Sequence, residues 1–139
     1  SLLLAYANIK TVKHLQGSAM KLIFTTSGNN LDALLDPSFG RARNFLLYDL
    51  ESGASRVISN QQNLNAAQGA GIQAAQTIVK AGANALVTGH CGPKAFRVLA
   101  AAGIKVYNTD ASTISEALTR YRAGQLTEAT AANVESHWA

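Results

Sequence analysis

The segment Asn84 to Asn108 constrains the fold more than any other part of this chain. It opens with "NALVTG", a run apolar throughout and therefore suited to a strand buried on both faces. The loop "HCGP" follows, and its proline sits where a helix accepts one, in the first turn. Ala95, Phe96, Val98, Leu99 and Ala102 then give an apolar helical face, Gly103 stops it, and "IKVYN" supplies a second strand. Strand, helix and strand in this spacing form a right-handed parallel crossover, which requires a sheet covered by helices.

The remaining elements are placed around that unit. Lys21 to Thr26 reads as a first strand; Asn44 to Leu50 and Ser55 to Ser59, joined by "ESGA", read as a second and third. The period then changes: Ala70, Ala74 and Ile78, with Ile72, Gln76 and Val79, suit a helix through about Ala81, ended by Gly82. Thr113 and Glu116 have capping-box spacing at the head of a last helix through Tyr121. The order βββαβαβα predicts a three-layer α/β/α domain of the ribonuclease-H-like motif with a mixed five-stranded sheet. Sheets of this kind carry their working loops beyond the carboxyl ends of the parallel strands, so "SGNN", "GHCGP" and "NTDAS" are expected on one edge.

Three segments are expected along the 139 residues. Residues 1–19 read as a leader or an appended, expression-derived segment, since "LQGSAM" resembles a cloning junction and no basic region precedes the short apolar patch. Residues 20–126 form the domain, and residues 127–139, which show no period, are a tail carrying Trp138.

Composition narrows the class. Apolar residues make up 47% and charged residues 14%, which argues against disorder, and no apolar run is long enough for a membrane span. A single cysteine cannot close an internal disulfide, so the cytoplasm is the expected compartment. The net charge of +4 falls by two once Lys10 and Lys13 are set aside. With no run of Lys or Arg and no interleaved aromatics, nucleic acid is not an expected partner. A two-metal nuclease needs an acid on the first strand, and "KLIFTTSGNN" has none; neither a Walker loop nor GxGxxG is present.

The candidates for chemistry cluster in the expected loops. His90 and Cys91 offer imidazole and thiolate, ligand types that suit copper and iron-sulfide species. They fall short of a closed four-ligand site, because His14 and His137 lie near the chain ends. A Cys-His nucleophilic pair is disfavoured, since neighbours on extended chain point to opposite sides. The bland reading of Cys91 is a small buried hydrophobe. Gly89 and Gly92 flank the pair, and the free N–H groups of Lys94 and Ala95 at the helix start favour an anion. Arg41 and Arg43 form a candidate anion clamp or a solvated rim. Asn29, Asn30 and Gln68 are amide donors in glycine-rich loops, which ordinary turn chemistry explains equally well.

Five segments in order carry a family resemblance: Met20 to Ile23, "DPSFGRARNFLLYD", "AAQGAGIQAAQ", "TGHCGPKAFRVLAAAGIKVY" and "SEALTRYRAGQLT". Together they resemble the dinitrogenase iron-molybdenum cofactor biosynthesis family, the NifX-like domain, including its molybdenum-copper orange-protein type. The resemblance covers nearly all of residues 20 to 126. It implies a small non-catalytic carrier or scaffold for an anionic metal-sulfur cluster, either molybdenum-copper sulfide or an iron-molybdenum-sulfur precursor, held largely non-covalently. Cluster-assembly or ATPase proteins are the implied partners. The alternative is a domain that docks such a partner without holding metal itself. Within the family pattern Arg41, after Phe39-Gly40, is favoured over Arg43; Gln68 or its neighbours stand where some relatives carry histidine.

Overall fold

The computed structural model describes residues 20–64 and 69–131. Its strands are β1 (Lys21–Thr26), β2 (Asn44–Asp49), β3 (Ser55–Ser59), β4 (Ala85–Thr88), β5 (Lys105–Asn108) and β6 (Thr127–Glu128). The helices are α1 (Gln61–Leu64), α2 (Ala70–Ala81), α3 (Pro93–Ala101) and α4 (Ile114–Arg122). The sheet order is β3-β2-β1-β4-β5-β6. The first three strands pair antiparallel, β1 pairs parallel with β4, and β4 pairs parallel with β5.

The pleat sorts the side chains into two cores. Ile23, Phe45, Leu47, Leu86 and Val106 face one side, where Ala74, Ala75 and Ile78 of α2 and Ala95 and Leu99 of α3 close over them. Leu22, Phe24, Leu46, Tyr48, Ala85 and Val87 face the other, under Ile114, Ala117 and Leu118 of α4. Alternation along β1 and β4 is what a sheet buried on both faces demands, and it explains the continuous apolar reading of those segments. The architecture is the expected three-layer α/β/α arrangement.

The sheet has six strands where five are expected. Thr127 and Glu128 pair antiparallel with Asn108 and Tyr107 at the sheet edge. The next residue, Ala129, donates to the Val106 carbonyl at 2.8 Å and is buried. Two residues are too few to show a period of two, so backbone pairing alone makes this strand. The expected leader, residues 1–19, lies outside the described residues, as do Gln68 and Trp138. No helix among the described residues is long and apolar enough to cross a membrane.

Candidate functional site

Residues 27–43, between β1 and β2, lace along the carboxyl edge of the sheet. Buried threonines fasten this strap: Thr25 donates to the Asp36 carbonyl at 2.5 Å and shares a 2.9 Å hydrogen bond with Thr88, while Thr26 donates to the Leu34 carbonyl at 2.7 Å. The strap then pairs with the loop after β4. Ser38 bridges His90, and the Phe39 N–H donates to the His90 carbonyl at 3.2 Å. At Gly89 the two chains touch: a Cβ there would lie 2.7 Å from Pro37 Cα and 2.8 Å from its carbonyl oxygen. Gly89 is therefore required for close approach. The loop after β5 joins the same edge, with Asn108 donating to the Gly89 carbonyl at 3.3 Å. The three expected loops do converge.

Beyond Pro37 the strap enters a cleft of about 710 Å³. Phe39 and Gly40 form one wall, Gly69, Gly71 and Ile72 at the head of α2 a second, and Gly92 to Ala95 at the head of α3 a third. Close packing makes this possible, since a Cβ on Gly40 would come within 3.2 Å of the Gly71 backbone. A buried amide network holds the strap in place: Asn60 donates to the Ala42 carbonyl at 2.8 Å and accepts from Asn63 at 2.6 Å. Sequence reasoning missed both asparagines, whose signal was only their position after β3.

The two helix heads share an electrostatic character. Neither Gly69 nor Gly92 offers a side-chain cap, and neither first turn contains an acid. Among the described residues no acceptor is paired with the N–H groups of Ala70, Gly71, Ile72, Lys94 or Ala95. First-turn donors and the positive ends of two helix dipoles thus border one cleft, with Lys94 in its lining and no carboxylate among its described lining residues. That combination selects for an anion. Phe39, Ile72 and Pro93 make much of the wall apolar, which suits a polarisable, weakly hydrated anion better than a small hydrated one.

The other candidates fall in different places. The Cys91 side chain is 2% exposed and packs in the core beneath α2 and α3. Burial pushes its thiol up to about 12, so it stands as a protonated thiol at neutral pH. His90 is half-buried, hydrogen-bonded through its carbonyl to the strap, and neither residue is among those lining the cleft. Among the described residues no three His, Cys, Asp or Glu side chains gather into a site for a metal ion.

Arg41 follows the cleft residue Gly40 and donates to the Leu64 carbonyl at 2.9 Å, which bonds the strap to the end of α1. Arg43 is exposed and its carbonyl accepts from the Asn60 N–H at 2.8 Å. Asn29 and Asn30 are exposed and spend their amides on a turn: Asn30 accepts from the Asp32 N–H at 2.9 Å and donates to Asn29 at 3.3 Å. They do not line the cleft.

The model of the dinitrogenase iron-molybdenum cofactor family matches residues 20–124. An uncharacterized protein of Methanocaldococcus jannaschii is 31% identical over 117 residues, covering 82% of this chain and 95% of its own length. The apo form of the orange protein from Desulfovibrio gigas superposes with a TM-score of 0.78 at 41% identity, over 80% of this chain and 93% of that one. A Thermotoga protein assigned to the DUF35 family gives a TM-score of 0.70 at 33% identity, over 78% and 92%.

Proposed function

The chain belongs to the dinitrogenase iron-molybdenum cofactor family, and from that premise we propose that it is a non-catalytic carrier of an anionic metal-sulfur cluster held in the cleft between α2 and α3. The observation that carries this reading is the convergence of two helix heads, each with a glycine N-cap and no acid in its first turn, on one apolar-walled cleft. A molybdenum-copper sulfide or an iron-molybdenum-sulfur precursor is an anion with soft sulfide edges. Such a unit brings its own sulfide ligands and asks the protein for N–H donors, positive potential and apolar contact.

In this reading Gly71, Ile72, Lys94 and Ala95 supply backbone donors, Lys94 adds charge, and Arg41 holds the strap wall. Gly89 and Gly92 shape the loop. Direct ligation by Cys91 requires its thiol to leave the core and ionise, whereas a cluster held largely non-covalently asks for no such change. Nothing in this role calls for a catalytic acid or nucleophile.

The test is anaerobic titration of apoprotein with tetrathiomolybdate and cuprous ion, followed by visible absorption and elemental analysis. Stoichiometric uptake with charge-transfer bands is expected for the parent and for Cys91→Ser alike. Lys94→Glu should weaken uptake, and added salt should reduce the Lys94 contribution further. No uptake with these reagents or with iron-sulfide precursors would sink the carrier reading. Loss of the bands in Cys91→Ser alone, with its fold intact, would restore the thiolate as a ligand.

A further inference from the structure

Between Glu51 and Asp110 the sequence contains no carboxylate, and this stretch builds α1, α2 and α3 entire. Among the described residues, the charged side chains of the helices over one face of the sheet are therefore all positive: Lys80 on α2, and Lys94 and Arg97 on α3, all exposed. The opposite layer is mixed, with Glu116, Arg120 and Arg122 on α4 and Asp110 just before it.

The charged layer also has a seam. Both helices run from the carboxyl edge of the sheet back to the start of the next parallel strand, so their heads lie together and their tails lie together. The cleft occupies the heads. Near the tails a groove of about 540 Å³ is lined by Gln76, Val79, Lys80, Val98, Ala101 and Ala102. Spacing links the two. Ile72, Gln76, Val79 and Lys80 stand on one side of α2, and Lys94, Val98 and Ala101 on one side of α3, each at helical repeats of three, four or seven. Val79 is 39% exposed, an unusual amount for a valine on a helix that otherwise buries its apolar face.

We propose that this seam is the docking surface for a partner protein that presents an acidic patch around an apolar centre. Charge and geometry suit such a partner: Val79, Val98 and Ala101 make an apolar floor, cations lie along its length, and residues 52–109, which build α1, α2 and α3, hold no carboxylate to repel it. That the partner exchanges the cleft's ligand rests on the carrier reading above. A partner lying along the seam would cover the cleft mouth at one end, which permits transfer without release into water.

The test places a photo-crosslinking residue at Gln76 and, as a control on the opposite layer, at Thr119, in the full chain expressed in its native cells. The adduct is identified by mass spectrometry, and the captured protein is purified and titrated against the parent, Lys80→Glu and Arg97→Glu. Support requires capture at position 76 and not at 119, an acidic surface on the captured protein, and association about tenfold slower for the double reversal. Charge reversal on that partner should restore the rate. Equal binding to the reversed variants overturns the proposal, as does a captured second copy of this chain, a nucleic acid, or no adduct at all. If the parent takes up tetrathiomolybdate and copper but no partner docks at the seam, the inference fails and the carrier reading stands. If a partner docks while no cluster is taken up, the reverse holds.

Discussion

The head of α4 and the paired heads of α2 and α3 sit on the same edge of the sheet and are served by the same strap, yet they are finished in opposite ways. At α4 every first-turn donor has an acceptor. Ile114 N–H meets the Ala33 carbonyl at 3.0 Å, Ser115 N–H meets Leu31 at 2.8 Å, and Glu116 N–H meets Thr113 Oγ1 at 3.1 Å. Glu116 lies in the first turn, accepts from the Ser112 N–H at 2.7 Å and pairs with Arg120, so the positive end of that dipole is neutralised internally. At α2 and α3 the same strap contributes Phe39 and Gly40 as walls and supplies no acceptor among the described residues. The difference teaches where the molecule spends its helix ends: one is closed for structure, and two have no acceptor among the described residues and stand beside a cleft.

The contact that holds the strap between these regions should be the most costly to disturb. In Gly89→Ala the new methyl would lie 2.7 Å from Pro37 Cα, and neither chain can yield easily, because Asp36 is tied to Thr25 and Phe39 to His90. A loss of about 1–3 kcal/mol is expected in urea denaturation, with weaker tetrathiomolybdate uptake as the Phe39 wall shifts. Unchanged stability would mean that the strap moves freely, and the contrast between closed and open ends would lose its common support.

Thr113→Ala attacks the closed end alone. It removes one of three acceptors at α4 and should cost about 1 kcal/mol in the same denaturation. Uptake should stay at the parent level, since α4 packs on the far core and contributes nothing to the cleft lining. A parallel fall in uptake would show that the two ends are coupled through the strap.

The asymmetry was only half legible in the sequence. Thr113 and Glu116 announced the closed end by their spacing, and Gly92-Pro93 announced an open one. The head of α2 was less readable, because its Gly69 adopts φ 76°, a conformation that the sequence permits without requiring. The strap was invisible: residues 27–43 have no period, and their course is set by the hydroxyls of Thr25 and Thr26, which read as ordinary strand residues. The layers and the order of elements along the chain followed from apolar periodicity; β6 did not, being two residues long. Cys91 illustrates the remaining limit. Its neighbours in sequence suggested a loop ligand, but the register after β4 turns it inward among Ala95 and Leu99, and one sequence does not record which side of an extended residue faces the core.

The finest test of the open end is Gly71→Ala. Gly71 lies in the first turn of α2 with an ordinary negative φ, and a Cβ there would meet only the Ala95 methyl, at 3.5 Å, which is normal contact. Nothing in the fold forbids alanine. Glycine in a helix instead sacrifices up to about 0.5–1 kcal/mol relative to alanine. The methyl would occupy the cleft wall where a cluster's sulfide edge approaches the helix head. The expected outcome is a protein at least as stable as the parent by urea denaturation, with weaker uptake of tetrathiomolybdate and copper. Greater stability with undiminished uptake would mean that the cluster does not press on α2, leaving the head of α3 to hold it alone. A loss of stability would make Gly71 a packing residue, and the open end would then be shaped by the fold before it is shaped by a ligand.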